Sequence, residues 1–68
     1  MQRYFFVIHW PDTEHDDENG TLLSSDGDAR KYACRVIQEL QAGGGYHDPG
    51  LTMVVKGARR KTVFSVPF

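Results

Sequence analysis

The stretch from Arg3 to Trp10 constrains this chain more than any other. It is apolar on both parities, with Tyr4, Phe6, Ile8 and Trp10 alternating with Phe5 and Val7. Aromatic and β-branched residues suit a pleated strand. A strand that is apolar on both faces is usually covered on both sides. The chain has only 68 residues, which bounds it to a single domain over 1–68. A domain of that size buries only about 60% of its unfolded surface. The rest of the pattern offers one helix, which can cover one face of the strand. The other face is left to a loop, a partner subunit or water. Tyr4, Phe5, Phe6, Val7 and Trp10 therefore form a first candidate interaction face, because excess apolar surface of this kind marks association sites.

The remaining elements follow from local signals. Pro11 lacks an N–H and ends the first strand. A short acidic edge strand is expected around Thr13 to Asp17, and Asn19-Gly20 is a turn signal. Thr21 to Leu23 then carry the chain back to the core. Ser25 or Asp26 caps a helix over Gly27 to Ala42, with Asp28 in the first turn where the dipole favours an acid. Ala29, Tyr32, Ala33, Val36, Ile37 and Leu40 make one apolar stripe along it. Gly43-Gly44-Gly45 ends it, glycine being able to take the left-handed cap. Leu51 to Lys56 and Thr62 to Val66 read as two strands joined by a hairpin over Gly57 to Arg60. The fold class is α+β, one helix packed on a small antiparallel or mixed sheet in the order β-β-α-β-β.

Composition removes several classes. Hydrophobic residues are 40% and charged residues 25%, too apolar for a disordered chain. The longest apolar run, Tyr4 to Ile8, is too short to span a membrane. No secretory cleavage pattern follows Arg3, and the single Cys34 forms no internal disulfide. The expected location is the cytoplasm. The net charge of -1 gives no global attraction to nucleic acid. It hides an asymmetry, however. Between Tyr4 and Ala29 lie Asp12, Glu14, Asp16, Asp17, Glu18, Asp26 and Asp28 with no Lys or Arg, whereas all the bases except Arg3 stand at or after Arg30.

Several residues carry a resemblance. Arg3-Tyr4-Phe5-Phe6, His9, Asp16-Asp17 with Gly20-Thr21-x-Leu23, the helix with Ala29 and Ala33, and the ending Val63-Phe64-Ser65-Val66-Pro67-Phe68 are similar to the bacterial domain-of-unknown-function family 6894. The similarity covers nearly the whole chain. It departs at Trp10-Pro11-Asp12, where the family has an Asp-Gly type turn, and at Ser24-Ser25-Asp26, where the family has Leu-Pro-Asp. The resemblance implies the same fold and carries no activity, cofactor or catalytic residue.

Chemical motifs are weak. Asp12, Glu14, Asp16 and Glu18 alternate as calcium ligands would. Counting from Asp12, though, the sixth residue is Asp17 instead of Gly and the twelfth is Leu23 instead of Glu. His9, His15 and His47, with Asp12 or Asp48, lack zinc spacing. Cys34 lies beside the helix stripe and reads as a small hydrophobe. The triple glycine lacks the Lys-Ser/Thr of a phosphate loop. No catalytic residue, metal or cofactor is expected, and the chain reads as a binding module that is not an enzyme. One reading is a protein-interaction or regulatory module that self-associates or takes another protein partner, with the acidic half of one copy meeting the basic half of another. The alternative is nucleic-acid binding by Lys56, Arg59, Arg60 and Lys61, extended by Arg30, Lys31 and Arg35 on the helix.

Overall fold

In a computed structural model that describes residues 1–68, the apolar run forms β1 (Gln2–His9). Two further strands on the same side of the chain are β2 (Glu14–His15) and β3 (Thr21–Leu23). They are followed by α1 (Asp26–Ala42), β4 (Thr52–Lys56) and β5 (Thr62–Pro67). All pairings are antiparallel, in the order β2-β1-β4-β5, with β3 also on β1. One helix thus packs on an antiparallel sheet, as expected. Several boundaries differ from the sequence reading, the edge strand expected over Thr13 to Asp17 spanning only Glu14–His15. Trp10 leaves the strand because its N–H bonds Thr13 O at 2.8 Å in the turn at Pro11. Thr21–Leu23 is a strand in its own right.

Ser25 caps α1, its hydroxyl accepting from Asp28 N–H at 3.1 Å. The helix ends through Gly43 and Gly44. Gly44 takes the left-handed conformation at φ +90, which a side chain would resist. Ala29, Ala33 and Ile37 are buried in one row, flanked by half-buried Tyr32, Val36 and Leu40. They pack on Tyr4, Phe6 and Ile8 of β1 and on Leu51, Met53 and Val55. Two fully buried alanines let the helix axis approach the sheet closely. Trp10, Tyr46 and Phe68 close one end of this core, with ring centroids 6.3 and 6.2 Å apart in sequence.

The second face of β1 is also covered, and by the chain itself. Phe5 and Val7 are 7% and 0% exposed, yet they lie outside the helix-side cluster. The register explains the cover. β2 pairs with β1 at Ile8 and β3 pairs with it at Tyr4. Residues 16–20 therefore stand against residues 5–7, five against three, and the excess loops out. Gly20 sits against Phe5, and the Arg60 guanidinium lies 4.0 Å from the Phe5 ring centroid. The expected face of Tyr4, Phe5, Phe6 and Val7 is thus corrected: these residues are 1%, 7%, 8% and 0% exposed within one chain, and Trp10 is half-buried. A loop filled the role that had been left open to a partner.

Candidate interaction surface

The acidic segment owes its position to Asp17. Its carboxylate accepts from Phe6 N–H at 3.1 Å and from Gly20 N–H at 3.0 Å. It replaces the ladder bond that β1 lacks where β2 and β3 part. Asp16, beside it, accepts from Arg60 Nη1 at 3.2 and 3.3 Å. This is the molecule's one ion pair, between side chains 44% and 55% exposed, worth no more than about 1 kcal/mol in water. Its value is positional, since it holds Arg60 over Phe5. The sequence reading missed Asp17. The available signal was Asp-x-x-Gly, a carboxylate that bonds local N–H groups before a residue of positive φ.

The four hairpin bases are accordingly not equivalent. Arg60, at φ +64, is turned inward to Asp16 and Phe5. Arg59 and Lys61 are exposed and Lys56 is half-buried, none in an ion pair. Arg30 from α1 lies 4.5 Å from the Phe64 ring centroid, which brings this one helix cation to β5, whereas Lys31 and Arg35 lie beside Leu23 and Tyr32. Cys34 is exposed, a correction to its reading as a small hydrophobe beside the stripe. No three of the His, Cys, Asp and Glu side chains converge closely enough to hold an ion. No helix is long and apolar enough to cross a membrane.

The open surface lies one strand pair further over. By register, Val54 and Ser65 share a side with Val7, Thr52 and Pro67 share a side with His9, and Lys56 lies on the side of Phe5. The covering loop does not reach this half. Thr52, Val54 and Lys56 are half-buried, and Val63, Ser65 and Pro67 are exposed. The result is a neutral strip with cations at one end. The sheet edges, in contrast, are blunted. β2 is two residues long and carries Glu14 and His15. β5 has a register shift that leaves Val63 as an extra residue. Phe68 N–H bonds Leu51 O at 3.1 Å, so the alternation of the ladder turns Pro67 toward the free edge, where its missing N–H costs nothing. A bulge and a proline discourage edge-to-edge pairing.

Tyr4 is held above its ordinary pKa. Its hydroxyl donates to Asp26 Oδ1 at 2.6 Å. That bond, then burial, then the Asp26 and Asp28 charges, raise its pKa above 10.0. Because the folded value lies above the unfolded one, the contribution to stability is fully present below pH 10 and is lost as pH climbs through the raised value. An alkaline absorbance titration of the three tyrosines should show one ionising late, and that late phase should vanish in Tyr4→Phe. Three tyrosines titrating together would contradict the bond.

Fold and surface thus define a small α+β domain with a loop-covered strand and one half-open sheet face. The chain belongs to the family described as domain of unknown function DUF6894, whose model matches residues 3–68. Neither a curated protein nor a solved structure matches it.

Proposed function

We propose that the chain is a small non-catalytic interaction module of the cytoplasm that pairs with a second copy through the open half of its helix-free face. The observation that supports this reading is that half-face, where Thr52, Val54, Ser65 and Pro67 lie without a covering element. The blunted edges turn association toward the face. A specific interface buries roughly 600 Å² or more on each partner, a little over a tenth of the chain's 4505 Å² surface. The interface would extend over the charged borders of the neutral strip. The loop acids Asp12, Glu14 and Glu18 are free of ion pairs, as are Lys56, Arg59 and Lys61. The split between unpaired acids and unpaired hairpin bases offers complementary charge to a second copy, which favours self-recognition.

Light scattering behind size exclusion tests this over a concentration series. Dimerisation is expected for the native chain. Val54→Glu, which buries a charge in the interface while leaving the folded monomer's far-ultraviolet spectrum unchanged, should abolish it. A native chain that stays monomeric at the highest soluble concentration overturns the reading. The second reading, nucleic-acid binding, is favoured by Lys56, Arg59 and Lys61 having no carboxylate partner, and opposed by the acidic loop that holds Arg60. It requires salt-dependent binding of single-stranded RNA that Arg59→Ala with Lys61→Ala removes.

A further inference from the structure

The one pocket on the molecule lies away from the open face, where the first half of α1 passes β3. It is an open surface hollow of about 340 Å³, lined by Leu23, Asp28, Lys31, Tyr32 and Arg35. Small-molecule sites begin at roughly 300 Å³. The four helix residues recur at i, i+3, i+4 and i+7, which puts them on one helix face. Tyr32 is half-buried. Its ring packs on Phe6 with centroids 4.8 Å apart, and the Arg35 guanidinium lies 5.3 Å from its centroid. Leu23 and Tyr32 supply apolar surface held from behind by the core.

Lys31 and Arg35 supply the charge. They stand one helical turn apart, about 6 Å between Cβ atoms, close enough to share one carboxylate. Neither is in an ion pair, since the only one joins Asp16 to Arg60. Asp28 adds a single negative charge and lowers the pocket's net charge to +1. That balance suits one anionic group and disfavours a polyanion. An apolar wall beside two cations without carboxylate partners matches a ligand with a flat apolar body and one carboxylate.

We propose that this pocket binds small organic monoanions of the aromatic carboxylate class, with the carboxylate between Lys31 and Arg35 and the ring against Leu23 and Tyr32. The proposal is independent of self-association, and Val54→Glu leaves the pocket intact. Benzoate is the probe, followed by amide NMR on the native chain. Saturable shifts are expected at Leu23 and from Asp28 to Arg35, with a Kd in the millimolar range, as befits a ligand of so few atoms. Lys31→Gln and Arg35→Gln, both at exposed positions, should each weaken binding about tenfold, the loss of one charge-assisted hydrogen bond. Asp28→Asn should tighten it. Benzyl alcohol and inorganic phosphate, which carry only the ring or only the charge, should not saturate at the same concentrations. The proposal is overturned if benzoate gives no saturable shifts, if the shifts map elsewhere, or if either control binds as well.

Discussion

Replacing Asp17 with alanine should cost this domain about 2–4 kcal/mol, because two backbone N–H groups lose a charged acceptor at once. The donors belong to Phe6 and Gly20. Phe6 is buried, so water has poor access to take the carboxylate's place. A chain of this length has a total stability of only roughly 3–10 kcal/mol, and each kcal/mol moves Tm by about 4–8 °C. The Asp17→Ala transition should therefore fall by about 8–32 °C. Asp17→Asn is the sharper test. It keeps the volume and one acceptor oxygen but turns an amide N–H₂ toward the second donor, so it should lose nearly as much. Asp16→Ala removes an exposed ion pair and one exposed bond from Asp17 N–H, whose donor water can reach, and should cost only about 1 kcal/mol. Thermal melts that show Asp16 and Asp17 variants equally stable would remove Asp17 from the role assigned to it.

Gly20→Ala should be as damaging as the loss of Asp17. Gly20 sits at φ +72, where a side chain costs about 1–2 kcal/mol. A Cβ there would also lie 2.8 Å from Arg3 Cγ, 2.9 Å from Phe5 Cε2 and 2.9 Å from the Tyr4 carbonyl oxygen. Arg3 has freedom to move, but the Tyr4 carbonyl belongs to β1 and the Phe5 ring is packed beneath Arg60. Relief requires the loop to lift from the sheet, which exposes Phe5. With overpacking at about 1–3 kcal/mol, the sum is about 2–5 kcal/mol. Gly44→Ala separates the two causes. Gly44 also has positive φ, at +90, with no atom within 4 Å of a built Cβ, so only the conformational part should appear. Denaturant midpoints that place both variants together would show that the contact at Gly20 is relieved without cost.

Local signals read correctly wherever an element depends on near neighbours. The helix expected over Gly27 to Ala42 is found over Asp26–Ala42, because capping and apolar spacing act within a few residues. The hairpin of β4 and β5 follows from two apolar runs and a short turn. What escaped is the cover on Phe5 and Val7. It depends on contacts between Phe6 and Asp17, 11 residues apart, and between Asp16 and Arg60, 44 residues apart. Read in one dimension, the acids look like a solvated edge and the bases like one patch. In three dimensions one acid completes a strand's hydrogen bonding and a second draws one base out of the patch. The exposed Cys34 likewise turned on which side of the stripe meets the sheet.

The sequence by itself determined the class: a strand too apolar to face water, one amphipathic helix and a late hairpin admit only a helix on a small sheet. These are consequences of side-chain solubility and backbone propensity, which act locally. Only the tertiary structure decided which apolar surface remains open. It moved that surface from β1 to the β4–β5 half of the helix-free face, because five loop residues had to fit beside three strand residues and folded over the strand. That outcome depends on register between distant segments, and register is settled by packing.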